Sequence, residues 1–392
     1  MLKNMILKVC LALRTLLTRR VQIGCDRIPY RFDNVPLKKI LNWILVEASI
    51  FVKPKMPLGW PTHIMMEPTT HCNLKCALCP VTKGLMRPKG HMDYGLFKKV
   101  IDEIGDYLFF VLLWDWGEPF LNPASYDMIS YAREKGIKVI SCTNGHPFLE
   151  DKNVEKVVLS GLNTLTIAVD GASQETYERY RKGGNLDSVL RGIRKIVAKK
   201  RELGIKTPIV NLRFIVMKHN EHEIQVIKDL AKLHEVDVLT FMTLNPYIDA
   251  IYCENDVTTK ENEDNFVPES YIYRRFSNTQ NGEARVKLKN NPCKHLWNNP
   301  VVHWNGMICP CTYDYHEKYV LGNLNRDTFK AIWFGLPYQN IRSQFRRNWE
   351  KLLLCRECSY GYAGGDLGRE AISEVFYLNP TIQFTRKTID NA

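Results

Sequence analysis

The sequence predicts an α/β protein in which a partial (β/α)6 TIM-like barrel precedes a small metal-binding domain. Between Pro61 and Asn245, six short β-rich runs alternate with helical runs, which is typical of repeated βα units and a parallel sheet. Three cysteines follow the first β-rich run within eight residues, and five more lie between Cys293 and Cys358. Cysteines at such spacings indicate bound metal.

The composition is that of a globular protein of about two domains. The chain has 392 residues, 45% of them hydrophobic, and its 23 glycines and 19 prolines exclude a fibrous or disordered protein. Its twelve cysteines are too sparse for a disulfide scaffold, so we expect metal in a reducing, cytoplasmic compartment. Much of the excess in the net charge of +12 lies in the N-terminal segment and in Arg342–Lys351. Charge alone therefore does not indicate nucleic-acid binding.

Residues 1–60 predict an amphipathic helical extension. The first twenty residues hold five cations and no acid, and Leu37–Val52 repeats the helical spacing with a stripe of apolar side chains. Both stretches are too short or too interrupted to span a membrane. Three interpretations stay open at this stage: packing on the protein's own barrel, peripheral association with a bilayer surface, or binding to a partner protein. The stripe in the second stretch consists of Ile40, Leu41, Ile44, Leu45 and Phe51.

Residues 61–245 predict the barrel itself. In α/β barrels the chemistry gathers at the carboxyl ends of the strands, and the first cysteine loop directly follows the first strand. The predicted strands are His63–Glu67, Leu108–Trp114, Lys138–Thr143, Thr164–Asp170, Ile209–Met217 and Val236–Thr243. The predicted helices include Tyr94–Ile104, Ala124–Lys135, Asn185–Leu203 and Glu221–His234.

The first cysteine loop contains Cys72, Cys76 and Cys79. Three thiolates on one loop hold three irons of a 4Fe-4S cluster and leave the fourth iron open to a small molecule. A zinc site with His71 as fourth ligand is the alternative. The spacing resembles the CxxxCxxC signature of the radical SAM superfamily. That resemblance implies S-adenosylmethionine (SAM) on the open iron, its reductive cleavage to a 5'-deoxyadenosyl radical, and an electron donor such as flavodoxin or ferredoxin.

Segments after the next three strands resemble that family's contacts with SAM. Trp116-Gly117-Glu118-Pro119 resembles the GGE motif beside the methionine amino group, and Thr143-Asn144-Gly145 resembles the TNG segment that faces the ribose. Arg181 follows the fourth strand where an arginine commonly meets the SAM carboxylate. Leu78 stands where the family usually has an aromatic residue, and its backbone is expected to contact adenine. The implied cofactor-binding residues are Leu78, Gly117, Glu118, Thr143, Asn144, Asp170 and Arg181.

Residues 246–291 predict a connecting region, and residues 292–362 a second cluster-binding domain before the tail 363–392. The cysteine pattern of the second domain, with Gly306 four residues before Cys311, resembles the SPASM domain in its shortened twitch form, as in aminocyclitol dehydrogenases. The resemblance implies one auxiliary 4Fe-4S cluster, since the leftover Cys309 cannot build another. A zinc ribbon from the same residues is the alternative. The implied ligands are Cys293, Cys311, Cys355 and Cys358.

Four protein ligands leave no open iron, so the second cluster is expected to carry electrons or shape the pocket. We therefore expect dehydrogenation of a small molecule or of a glycan- or lipid-linked metabolite. The candidate substrate residues are Arg213, Tyr313 and Asp314, and Cys253 is a candidate hydrogen-atom donor. The alternatives are a peptide-modifying SPASM enzyme, an electron carrier and a zinc-stabilised nucleic-acid-binding module. The strand-end motifs argue against the carrier, and the lack of interleaved basic and aromatic residues argues against nucleic acid.

Overall fold

A ten-stranded sheet organises the part of the chain that the structure describes. The computed structural model describes residues 13–246, 265–275, 287–362 and 372–382. The strand order is β11-β10-β9-β3-β4-β5-β6-β7-β8-β12, and the predicted α/β fold class is confirmed. Strands β3 to β8 pair in parallel. The strands are β1 Val21–Cys25, β2 Ile28–Phe32, β3 His63–Met66, β4 Phe110–Leu112, β5 Lys138–Thr143, β6 Thr164–Ala168, β7 Ile209–Val216, β8 Val238–Thr243, β9 Val301–Val302, β10 Met307–Cys309, β11 Gly322–Asn323 and β12 Ile372–Tyr377.

The helices lie between the strands as the alternation predicts. Several begin at a side chain that accepts a backbone N–H of the first turn; Asp93 accepts from Leu96 at 3.2 Å, and Asn185 accepts from Ser188 at 2.8 Å. The α-helices with described bounds are Leu37–Val52, Pro80–Lys83, Tyr94–Ile104, Ser125–Glu134, Asp151–Leu159, Gln174–Tyr180, Leu186–Glu202, Ile224–Leu233, His295–Asn298, Phe329–Trp333, Leu336–Asn348 and Leu353–Arg356.

The second strand of the barrel is shorter than its apolar run predicts. The sequence predicts a strand over Leu108–Trp114, whereas β4 covers Phe110–Leu112. Leu108, Phe109 and Leu113 are fully buried on either side of the ladder. The apolar run therefore indicates which residues are buried. It does not indicate which of them form the strand and which belong to the buried loops at either end.

A β-hairpin closes the interior of the barrel, and the sequence analysis missed it. Strands β1 and β2 pair across Asp26-Arg27, whose φ angles of 55° and 56° form a two-residue turn. The turn lacks the glycine that usually indicates such a hairpin. The sequence therefore did not predict the two strands, which fall within the predicted helical extension. Tyr30 of the hairpin shares a 2.6 Å hydrogen bond with Thr164 of β6. Asp26 forms a buried ion pair with Arg213 of β7.

The predicted domain boundaries cut through the sheet. Strand β9, from the second cysteine domain, pairs in parallel with β3, and β12, beyond residue 362, pairs antiparallel with β8. Residues 1–12 of the first predicted helix lie outside the described residues, whereas 13–18 are helical. Among the described residues, no helix is long and apolar enough to cross a bilayer.

The Asp26–Arg213 pair generates a stability prediction. Asp26→Asn leaves the Arg213 guanidinium buried without its carboxylate, so we expect the free energy of unfolding to fall by about 3 kcal/mol. Asparagine tolerates the positive φ angle of this position, so backbone strain does not confound the change. Adding Arg213→Gln removes the uncompensated charge and should restore part of the loss. Anaerobic urea unfolding followed by circular dichroism measures all three proteins.

The matched control is Glu235→Gln, because Glu235 also has a positive φ angle and pairs with Arg201 on the surface. Exposed pairs contribute at most about 1 kcal/mol, so this variant should unfold almost as the unmodified protein does. Equal losses in the Asp26 and Glu235 variants would contradict a structural role for the hairpin pair.

Candidate iron-sulfur and cofactor sites

The first cysteine loop begins where β3 ends, at the carboxyl edge of the sheet. Two of its backbone N–H groups bind carbonyl oxygens beyond the fourth barrel strand: Lys75 donates to Lys182 and Ala77 donates to Tyr180, both at 3.0 Å. The loop ends at Cys79, the residue before the short helix Pro80–Lys83. The chain thus holds three thiols on a loop fixed at both its middle and its end.

The three thiols lie in a poorly solvated environment with polar groups directed at them. Burial raises the pKa of Cys72 to about 11, and burial together with the Cys76 thiol raises the pKa of Cys79. The Arg181 Nη1 lies 3.7 Å from the Cys76 sulfur, and the Asn144 Nδ2 lies 3.9 Å from the Cys72 sulfur. Such thiols become thiolates when bound metal supplies compensating positive charge.

The spacing of the sulfurs fits a large cluster better than a single zinc ion. Zinc about 2.3 Å from each tetrahedral ligand brings sulfurs within about 3.8 Å of one another. Across the described ranges, one group of three potential metal ligands has all its ligand atoms within 4.8 Å of one another. Its members are Glu67, Asp115 and His303. No three cysteine sulfurs in those ranges are that close. An iron-sulfur cluster binds each cysteine through a different iron and so holds the sulfurs further apart.

Gly117 and Glu118 bring the chain after β4 against the cysteine loop. Gly117 has a φ of 111°, and a Cβ there would lie 2.3 Å from the Thr69 carbonyl oxygen, so only glycine fits. The Glu118 carboxylate is buried and accepts hydrogen bonds from the Thr143 hydroxyl at 2.8 Å and the Asn144 N–H at 2.7 Å. Burial outweighs these bonds and raises the pKa of Glu118 to about 7. The segments after β4 and β5 are therefore joined through one carboxylate.

Asp170 and Arg181 join the end of the fourth barrel strand to the same loop. The fully buried Asp170 pairs with Arg181 at 2.6 Å and accepts the Ile215 N–H at 2.7 Å. Burial opposes the charge of Arg181, but Asp170 and Cys76 together raise its pKa well above the usual range. Leu78 is buried beside Leu74 and Tyr180 in a small apolar cluster under the loop. The structure thus gathers the predicted SAM-contact residues around the three cysteines.

The four predicted auxiliary ligands also come together. Burial and the thiols of Cys355, Cys358 and Cys293 raise the pKa of Cys311 well above its usual range, and burial with Cys358 and Cys293 does the same for Cys355. Cys309 lies elsewhere: its sulfur is 3.7 Å from the His303 ring, in the apolar cluster inside the barrel. Cys309 is the last residue of β10, whereas Cys311 lies beyond the end of that strand, where the three other thiols act on its pKa.

A buried polar network lies at the junction of the two domains, and the sequence analysis missed it. Glu67 binds Arg87 through both carboxylate oxygens, at 2.5 and 2.8 Å. His303 lies 2.9 Å from Glu317 and 3.6 Å from Asp115. Three of these side chains follow strands of the sheet: Glu67 lies one residue after β3, Asp115 three residues after β4, and His303 one residue after β9. The sequence could have indicated this network, because each of the three residues follows the carboxyl end of one of three adjacent strands, but the strand β9 was not predicted.

The four candidate substrate residues do not form one group. Arg213 pairs with Asp26 inside the barrel. The fully buried Asp314 accepts the N–H groups of Lys318 and Tyr319, both at 2.9 Å, and so fixes its own turn. Tyr313 accepts a 3.4 Å hydrogen bond from Asn245. Cys253 lies outside the described residues. Their roles toward substrate stay predictions.

Comparison with known proteins identifies both domains. Residues 66–231 match the radical SAM superfamily, and residues 293–359 match an iron-sulfur cluster-binding domain, the SPASM domain. A radical SAM domain binds SAM and a 4Fe-4S cluster, and a SPASM domain binds auxiliary clusters. The predicted cofactors are therefore confirmed at this level.

The relatives differ in what they do. Fe-coproporphyrin III synthase of Methanosarcina barkeri is 29% identical over 195 residues, which cover 50% of this chain and 45% of the relative. A tungsten-containing aldehyde ferredoxin oxidoreductase cofactor-modifying protein of Pyrococcus furiosus is 23% identical over 307 residues, 71% of this chain and 83% of that protein. The chain spans about half the length of the first curated relatives it matches.

Among solved structures, Streptococcus suis SuiB bound to the precursor peptide SuiA has a TM-score of 0.55 with 16% identity. The match covers 88% of this chain and 80% of SuiB. At this level of identity the similarity establishes a shared fold.

The two cysteine sets generate a prediction of iron content. Anaerobically reconstituted protein should contain about eight irons and eight sulfides, and alanine at Cys72, Cys76 and Cys79 together should remove half of each. The Cys309→Ala variant should keep both clusters, whereas Cys311→Ala should lose the auxiliary one, because the other three thiols act on the pKa of Cys311. Iron and sulfide analysis with Mössbauer spectroscopy measures these contents. The reverse outcome for the Cys309 and Cys311 pair would require a new ligand set around Cys309.

Proposed function

Because the chain belongs to the radical SAM superfamily and carries a SPASM domain, we propose that this enzyme oxidises its substrate by two electrons. Its substrate class is a small molecule or a glycan- or lipid-linked metabolite. The observation that carries the proposal is the complete set of four thiols, Cys293, Cys311, Cys355 and Cys358, in the SPASM domain. A cluster with four protein ligands has no iron open to substrate, which favours electron transfer over substrate binding.

The cysteines Cys72, Cys76 and Cys79 would hold the first cluster, and SAM bound there would supply the radical chemistry that removes a hydrogen atom from a substrate. The protein's own residues bind and orient the reactants. Glu118 is buried and close enough to Cys72 to act on its pKa, which suits it to the methionine amino group. Arg181 is partly buried with its Nη1 3.7 Å from the Cys76 sulfur, which suits it to the carboxylate. Arg181 keeps its charge through Asp170, so the pair presents a fixed cation beside the cofactor.

A short hydrogen-bonded connection between the two sites supports electron transfer. Thr312, next to the ligand Cys311, donates from its hydroxyl to Asp115, and its carbonyl oxygen accepts the Trp116 indole N–H at 2.9 Å. Trp116 directly precedes Gly117, the residue that packs against the first cysteine loop. Asp115 and Trp116 therefore connect the residue after Cys311 to the segment that packs against the first cysteine loop.

Modification of a peptide or protein is the second candidate function. The chain shares its fold with SuiB, whose structure contains a precursor peptide, over 88% of its length. Incubation with SAM, reductant and either metabolite or peptide extracts distinguishes the candidates, because only the true substrate class is consumed in step with 5'-deoxyadenosine formation.

The raised pKa of Glu118 predicts a pH dependence of SAM binding. As the pH rises through about 7, Glu118 becomes charged and accepts a stronger hydrogen bond from the SAM amino group, so the dissociation constant of SAM should fall. The Glu118→Gln variant has a side chain of the same size that does not titrate, so SAM binding should be weaker and nearly independent of pH in this range. Equilibrium dialysis of the reconstituted protein measures both. If SAM binding by the variant showed the same pH dependence as binding by the unmodified protein, the titrating group would not be Glu118.

The roles of the two clusters are separated by a Cys355→Ala plus Cys358→Ala variant. It should still cleave SAM, because the radical forms at the other site, but it should not complete the oxidation of substrate. Anaerobic turnover with SAM, a reductant and metabolite extracts measures 5'-deoxyadenosine against substrate loss. The matched control, Cys309→Ala, should retain both reactions. Full oxidation by the double variant would refute an electron-accepting role for the auxiliary cluster.

A further inference from the structure

The helix Leu37–Val52 presents an apolar face to solvent. Every fourth residue along one side, Leu37, Leu41 and Leu45, is 52%, 53% and 43% exposed, and the face continues at the end of the helix. Phe51 and Val52 there are 77% and 56% exposed. We call these five side chains the outer face. A helix on a globular protein normally turns such a stripe toward the core.

Hydrogen bonds fix this orientation. Asn42, on the inward side, donates to the Trp60 carbonyl at 3.0 Å and accepts the Trp60 N–H at 2.8 Å. Ser49, fully buried on the same side, accepts the Leu58 N–H at 2.9 Å. Rotating the helix to bury the leucines would leave these polar groups without their partners, at a cost comparable to the gain. The outward position of the apolar stripe is therefore built into the helix.

The charge around the outer face indicates its occupant. Residues 1–58 contain eleven Lys and Arg against three Asp and Glu, so they carry +8 of the protein's net charge of +12. Exposed cations lie at both ends of the helix: Lys38, which pairs with Asp106, at its start and Lys55 beyond its end. Arg19 exchanges hydrogen bonds with Val35, two residues before the helix, which brings 13–18 to the same end of the molecule.

That segment repeats the combination of charge and exposed apolar side chains. Leu13 and Leu17 are 56% and 85% exposed, and Arg14, Arg19 and Arg20 accompany them. Apolar side chains flanked by an excess of cations match the interface of a membrane that contains anionic lipids, where the side chains enter the acyl boundary and the cations meet the headgroups. An apolar protein partner would not require the excess of positive charge.

We propose that the outer face docks the protein on the surface of an anionic lipid bilayer. The docking is peripheral, because the inward side of the same helix is held against the protein by the hydrogen bonds of Asn42 and Ser49. It places the barrel at the membrane surface without contributing a residue to either cluster. The proposal does not depend on the reaction that the enzyme catalyses.

Vesicle sedimentation of the reconstituted full-length protein tests the proposal. The protein should sediment with vesicles of phosphatidylcholine and phosphatidylglycerol at low salt, less at high salt, and little with phosphatidylcholine alone. Leu41→Glu plus Leu45→Glu should reduce the bound fraction at least about tenfold, since the change removes two apolar side chains and adds two negative charges. Both sites are exposed, so iron content and SAM cleavage should stay unchanged.

The matched control is Leu159→Glu plus Leu233→Glu, at leucines that are 62% and 72% exposed at the ends of two barrel helices. This variant adds the same charge elsewhere and should bind vesicles nearly as the unmodified protein does. Equal loss of binding in both variants would overturn the proposal, as would absence of salt-sensitive binding by the unmodified protein. A dimer in lipid-free solution that only the Leu41 and Leu45 variant dissociates would assign the outer face to self-association and equally overturn it.

Discussion

The buried ion pair between Glu67 and Arg87 is the constraint on which both sites depend. Glu67 follows β3 directly and Arg87 lies twenty residues later, so their two parallel hydrogen bonds close the whole segment that carries the three cysteines. Arg87 also donates to the Tyr315 carbonyl at 2.7 Å, and Glu67 accepts the Trp304 N–H at 3.3 Å. The pair therefore ties the cysteine loop to the SPASM domain. Removing one member would leave a buried charge uncompensated, at a cost of about 3–5 kcal/mol.

The order of the barrel and the first cysteine set could be predicted from the sequence because each signal is local, and the second cysteine set followed from its resemblance to the SPASM domain. The helix Leu37–Val52 marks the limit of that information. Its predicted bounds are those of the structure, but within the predicted apolar stripe Ile40 is buried whereas Leu41 and Leu45 are exposed. Periodicity reports which residues share a face, whereas Asn42 and Ser49 decide which face turns inward, through hydrogen bonds to a segment that follows the helix.

Long-range contacts limited the prediction of the site in the same way. Glu67, Asp115 and His303 lie on three segments separated by tens to hundreds of residues, and no spacing along the chain relates them. They meet because β9, only two residues long, pairs with β3. Arg213 illustrates the same limit, because its carboxylate partner, Asp26, comes from a hairpin that the sequence pattern concealed.

The N-terminal extension also bears on the redox chemistry. Lys53, directly after the helix with the outer face, and Lys294 both act to lower the pKa of the Cys293 thiol, although burial raises it overall. Lys53 donates to the Asn291 carbonyl at 2.6 Å, which holds its charge beside this ligand. Positive charge near an iron-sulfur cluster stabilises an added electron and raises the reduction potential. These two lysines would thus favour electron acceptance by a cluster bound at Cys293, the property that the proposed oxidation requires.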